Sequence, residues 1–163
     1  MVMFTIHYIR SVFGYHFWAN GQLLKKAENL SETDYFEDLG VGHGSLHSTF
    51  FHMLRTEKTW LELAQKGELV EPPFEIESFT TLESIQIGWE SIEKGYLQYL
   101  DRTAEEAYAE VVQVTDQNGI VTPIQRWRML QQVLFHGAQH RAEAALILTH
   151  LGQSPGDLDF IFY

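Results

Sequence analysis

Residues Thr122 to Gly152 read TPIQRWRMLQQVLFHGAQHRAEAALILTHLG. Thr122, Pro123 and Gln125 have the pattern of a helix start: a hydroxyl N-cap, proline at the first helical position and glutamine at the third. Gly152 supplies a stop, and Pro155 follows. No strong breaker lies between these ends, which predicts one helix of roughly seven to eight turns. His136 and His140 stand four residues apart inside it. At about 100° per residue both imidazoles project from one side. With Leu130 at the centre of the apolar face, near Trp127, Leu134, Ala144 and Leu148, the two histidines fall on its shoulder. They share that strip with Met129, Glu143 and Ile147. Two neighbouring imidazoles supply half of a divalent-metal site. The same spacing also occurs in hydrogen-bonded polar patches without metal.

Two familiar metal helices are excluded. A zincin needs Glu directly after its first histidine, where Gly137 stands. The inverted motif needs Glu directly before the second, where Gln139 stands. No histidine has Glu three residues before it, which excludes the paired motif of di-iron bundles. Further ligands must come from elsewhere in the chain.

The chain has 163 residues, 45% hydrophobic and 20% charged, a composition that predicts one globular domain over 1–163. Net charge is −11, with no basic run or basic-aromatic patch, which argues against nucleic-acid binding. There is no cysteine, hence no disulfide, thiolate ligand or cysteine nucleophile. The start, MVMFTIHYIR, lacks a leader pattern, and no stretch approaches about 18 uninterrupted apolar residues. A cytoplasmic protein without membrane association is the expectation.

The periodicity predicts a first helix over about Thr5 to Asn29, with Ile9, Val12, Phe13, Phe17, Leu23, Leu24 and Ala27 inward. Ser31 to Phe36 reads as a connector with a short helical turn. Gly40 to Gly44, GVGHG, reads as a flexible link and lacks the ending of a phosphate loop. A second helix runs from Ser45 as N-cap to near Gly67. Its seam is Leu46, Phe50, Met53, Glu57, Trp60 and Ala64. Glu57 is the odd member, expected at a solvated edge or paired with a buried cation such as Arg141. Residues 68–79 form a linker with two prolines. Thr80 and Glu83 read as the capping box of a third helix, with Leu82, Ile85, Trp89, Ile92, Tyr96 and Leu100 on one side. Thr103 to Ala107 reads as a short turn. Val111, Val112 and Val114, then Asn118-Gly119, then Ile120 and Val121 predict a small hairpin closed by Asn-Gly. Three helices, a hairpin and a helix imply an all-α four-helix bundle.

Of the remaining histidines, His7 and His43 read as surface or loop residues, and His16 as a first-helix residue able to approach the site. His47 and His52 fall on opposite shoulders of the second helix, and spacing alone does not choose between them.

Three motifs together resemble one family. They are Tyr15-His16-Phe17-Trp18-Ala19-Asn20 with Leu23-Leu24; Ser45-Leu46, His52, Glu57 and Trp60; and His136-Gly137-Ala138-Gln139-His140-Arg141 with Leu151-Gly152 and Asp159. The resemblance is to the DinB-like (DinB/YfiT-like) metal-binding bundles, spans nearly the whole chain and keeps the motif order. It implies an up-down-down-up four-helix bundle, a homodimer, and one divalent ion held by His52, His136 and His140. The chain departs where that family usually continues His-Arg-Gly-Gln: here it is His140-Arg141-Ala142-Glu143. Glu143 thereby becomes a candidate fourth ligand, a partner of a ligand, or a catalytic base. The family includes thiol-dependent S-transferases and an isomerase. The implied activity is therefore a metal-activated nucleophile reaction using a small substrate such as a low-molecular-weight thiol, with zinc or nickel as the ion. The alternatives are a metal-dependent hydrolase, or a non-catalytic metal-binding, stress-associated dimeric bundle.

Overall fold

The computed structural model describes residues 6–67, 74–116 and 118–163. These are mostly helical, with one small antiparallel sheet. The elements are α1 (Ile6–Ala27), a short α2 (Glu32–Phe36), α3 (Leu46–Lys66), α4 (Leu82–Arg102), strands β1 (Val111–Thr115) and β2 (Val121–Gln125), and α5 (Arg126–His150). Thr5, the two prolines of the expected linker (Pro72 and Pro73) and Gln117 lie outside the described residues.

The helix ends have identifiable chemical causes. Ser45 Oγ accepts the Ser48 amide at 3.0 Å and starts α3, which Gly67 ends at φ 75°. The α4 capping box uses Thr81 and Ser84, one residue beyond the expected Thr80 and Glu83. Thr80 and Glu83 fit the usual signature, but Ser84 Oγ serves in place of a carboxylate, accepting the Thr81 amide at 3.2 Å. At the end of α5, the Gln153 amide donates to Leu148 O at 2.7 Å and the Gly152 amide to Thr149 O at 3.1 Å, with Gly152 at φ 76°. That pair of bonds is a Schellman stop.

The start of α5 corrects the sequence reading. Thr122, Pro123 and Gln125 are not a capping box but part of β2, where Thr122 faces Val114, Pro123 faces Gln113 and Gln125 faces Val111. Strand pairing wins because it satisfies backbone groups a helix start would leave unpaired. The first helical amide, Arg126 N, donates back to Glu110 O at 3.0 Å. Pro123 is tolerated because a two-stranded sheet has only edge strands. The hairpin is also wider than a tight Asn-Gly turn. Its loop is organised by Asp116, whose carboxylate accepts the Asn118 and Ile120 amides at 2.8 Å each.

The four long helices close a ring of contacts: α1 and α3 each pack on both α4 and α5. Phe13, Leu23, Leu46, Phe50, Met53, Ile85, Ile92, Tyr96, Met129 and Leu148 are fully buried between them. Each large apolar side chain removed from water contributes about 1.5–3 kcal/mol before entropy is counted. Of the expected inward residues, Val12, Trp60, Leu82, Trp127 and Leu134 are only partly buried. No helix among the described residues is long and apolar enough to cross a membrane.

Candidate metal centre

The pairing of α3 with α5 brings His52 towards His136 and His140. The His52 ring centroid lies 4.9 Å from that of His136 and 4.6 Å from that of His140, and the two α5 rings are 4.3 Å apart. The Nε2 atoms of His52 and His136 face each other at 2.9 Å. Two imidazole nitrogens sharing a tetrahedral zinc, each about 2.0–2.1 Å from it, stand roughly 3.3 Å apart. All three residues expected from the family resemblance therefore converge.

A fourth imidazole joins them. His43 stacks on His52 at 3.9 Å, with the planes 24° apart, and its centroid lies 5.0 Å from that of His140. Ligand atoms of His43, His52 and His140 all lie within 4.8 Å of one another, so this trio could hold an ion. The sequence reading left His43 on the surface. It is exposed, but its loop folds over the site. The Leu39 amide donates to Gly44 O and the Gly44 amide to Val41 O, with Gly42 at φ 54° and Gly44 at φ 89°. A Cβ on Gly42 would sit 3.1 Å from Glu143 Oε2, so the glycine permits the loop's close approach to α5. The available signal was a histidine set between glycines immediately before an N-cap, where a loop can aim a side chain at the helix faces.

Burial first, and then the neighbouring imidazoles, lower the pKa of both His52 and His136 to about 4. His43 is lowered by burial and by His140. His140, itself buried, donates from Nδ1 to Glu143 Oε2 at 2.8 Å, which turns its Nε2 inward as a lone pair. Burial acts to raise the pKa of Glu143, but the hydrogen bonds from His140 and Gln139 and the electrostatic effect of the adjacent His140 ring outweigh it and hold the carboxyl below its usual value. The carboxylate thus contacts a candidate ligand, as in the carboxylate–histidine pairs of metal proteins. His136 Nδ1 is buried without a hydrogen-bond partner among the described residues. Facing imidazole nitrogens with few donors around them require a proton or a cation between them, and this donor set fits a borderline divalent ion.

His16 and His47 lie elsewhere. His47 Nε2 donates to Phe79 O at 2.5 Å, and its ring packs against Tyr35 and Phe36. His16 is fully buried against the neighbouring face of α5, where Gly137 and Arg141 lie. Arg141 donates to its Nδ1 at 2.7 Å, so Nε2 carries the proton and donates to Glu57 Oε1 at 3.0 Å. Asn20 and Trp89 also donate to Glu57, at 3.2 and 3.0 Å. Glu57 is therefore not at a solvated edge: it is completely buried. Nor does Arg141 pair with it directly. The guanidinium is engaged instead with His16 and with Asn20 Oδ1 at 3.2 Å. Gly137 makes this arrangement possible, because a Cβ there would lie 2.4 Å from His16 Cε1.

Helices enclosing a convergent histidine cluster, with a carboxylate behind one ring, define a helical protein with a candidate metal centre. The chain belongs to the DinB family, whose model matches residues 3–163. No curated protein matches the chain.

Proposed function

We propose that this protein binds one divalent ion per chain and uses it to activate a small nucleophile, in the manner of a thiol S-transferase. The observation that carries the reading is the convergence of His52, His136 and His140, with His43 above them. Neutral nitrogen ligands suit zinc or nickel. The low pKa values of His52 and His136 keep both imidazoles uncharged at neutral pH, ready to ligate. Glu143 fixes the His140 ring through Nδ1 and leaves Nε2 for the ion. When bound, the ion supplies positive charge that lowers the pKa of a thiol or water presented to it. A thiol starts near about 8.5 and needs no protein base. Glu143 is committed to His140, which supports a positioning role over that of a hydrolytic base. Its side chain is 31% exposed, and this keeps metal-dependent hydrolysis as the second reading.

The arrangement is read as an up-down-down-up bundle, supported by bonds that join opposite ends of α1 and α4 (Arg10 with Asp101, Gln86 with Glu28) and of α3 and α5 (Arg126 with Ala64 O), and by bonds that run in step along α3 and α4 (Tyr96 to Glu57 O, Tyr99 to Ala64 O). A homodimer is proposed from the exposed apolar stripe on α5, where Phe135 and Leu146 are each 66% exposed and Ala138 and Ala142 lie between them.

The test begins with elemental analysis of untagged protein, in which about one zinc or nickel per chain is expected. Metal-loaded wild type and His140→Ala are then given a panel of low-molecular-weight thiols with electrophilic acceptors. Thiol transfer lost in the variant supports the proposal. Ester or amide hydrolysis without thiol, abolished by Glu143→Gln, would replace it with a hydrolase.

A further inference from the structure

Beside the histidine cluster lies a cavity of about 380 Å³. His43 and His52 line it. Phe51, Phe74 and Ile76 provide apolar walls, and Arg55 stands on the same flank of α3 as His52. One helical turn separates them, roughly 4.5 Å of axial rise, so a small molecule can reach both. Arg10 pairs with Asp101, Arg126 with Glu110, and Arg141 with the core network. The Arg55 guanidinium has no ion-pair or hydrogen-bond partner among the described residues. It is an exposed cation lining an aromatic-walled cavity. Glu75 and Glu77 line the same cavity.

We propose that this cavity binds an organic monoanion with an apolar body. The carboxylate of that ligand accepts from Arg55, and its aryl or alkyl part lies between Phe51 and Phe74. Its far end meets the histidine cluster. Arg presents a planar pair of donors that matches a carboxylate. The cavity is at the lower end of small-molecule sites, sized for a ring with a short acid chain. Glu75 and Glu77 disfavour a second negative charge, so a phosphate dianion fits less well than a carboxylate. The placement of the reacting end rests on the metal-activation reading, but the contact with Arg55 does not.

The experiment compares 3-phenylpropionate, 3-phenylpropionamide and phenyl phosphate by calorimetric titration into the full chain, both metal-free and loaded with cobalt(II). The acid should bind at least about tenfold tighter than its isosteric amide, the value of one charge-assisted hydrogen bond. Phenyl phosphate should not exceed the acid. Arg55→Gln should erase the preference for acid over amide, and Arg55→Lys should restore part of it. Arg55 is exposed, so these changes should leave the fold intact. Equal binding of acid and amide, absence of binding by both, tighter binding of the phosphate, or a preference that survives Arg55→Gln overturns the proposal. Cobalt uptake is read separately from its absorption spectrum. A chain that takes up cobalt without acid preference keeps the metal centre and loses the cavity assignment. A chain that refuses cobalt yet shows the Arg55-dependent preference does the reverse.

Discussion

The molecule carries two histidine environments on neighbouring faces of α5, and they solve opposite problems. In the core, His16 has both nitrogens engaged, one accepting from Arg141 and one donating to Glu57. Asn20 and Trp89 complete the shell around the carboxylate. At the other cluster, His52 and His136 turn nitrogens towards each other, and His136 Nδ1 has no partner among the described residues. A satisfied imidazole is part of the scaffold, whereas imidazoles aimed at one another have capacity left for a ligand. The α5 helix serves both, since Gly137 and Arg141 face the core network while His136 and His140 face α3.

Breaking the core network should cost stability and spare metal binding. Glu57→Ala strips the shared acceptor from His16, Asn20 and Trp89 and leaves the Arg141 charge buried. A loss of about 3–5 kcal/mol is expected. Denaturant melts would measure it, and elemental analysis of the folded fraction should show unchanged metal stoichiometry. Breaking the other side should do the converse. Glu143→Ala frees the His140 ring and should weaken zinc affinity by about 10–100-fold, measured by competition with a chelator. Its metal-free melt should move little. If Glu57→Ala abolished metal binding in protein that stays folded, the two environments would be one functional unit and the contrast would fail.

How much of this was legible follows from the range of the interactions. The long helices were visible because an apolar repeat and a cap are local: Ser45 and Gly67 bracket α3 where expected. The start of α5 was misread because Thr-Pro-x-Gln is a valid helix signature, and only β1, a partner in another segment, diverts it into a strand. The convergence of His52, His136 and His140 was accessible through resemblance; spacing alone offered His47 equally. His43 was missed because its position depends on three positive-φ glycines and on the packing of their loop against Glu143. Glu57 was recognised as anomalous, but its shell draws on α1 and α4, and no pattern within α3 names those partners.

A smaller effect would sharpen the contrast at Gly137. Glycine inside a helix costs about 1 kcal/mol relative to alanine, so Gly137→Ala should stabilise α5 on propensity alone. The added methyl would instead meet His16 and Arg141. Overpacking of this kind costs about 1–3 kcal/mol. The two effects oppose, and a net loss of about 1 kcal/mol is expected by urea titration. A stabilised variant would mean that His16 can withdraw without loss, and that the core network is less tightly fixed than its distances imply.

The last effect is a pH dependence belonging to the metal-free cluster alone. In the unfolded chain, His52 and His136 titrate near the ordinary value of 6.5; in the folded chain both lie at about 4, first through burial and then through neighbouring imidazoles. Between those values the unfolded chain holds more protons, so the slope of unfolding free energy against pH is positive. The cluster's contribution to stability is therefore fully present above about 6.5, falls as the solution is acidified, and levels off below about 4. Carboxylates titrate in the lower part of the same window, so the informative quantity is a difference. Urea titrations of metal-free wild type and of the double variant His52→Gln, His136→Gln should diverge in pH slope between about 4 and 6.5, with the variant flatter. Saturating zinc should lift wild-type stability near neutral pH by mass action and should lose that effect in acid, where protons compete for the same nitrogens. Identical slopes for the two metal-free proteins would mean that the imidazoles protonate as readily in the fold as in water, and the crowding at the cluster would then be looser than the distances describe.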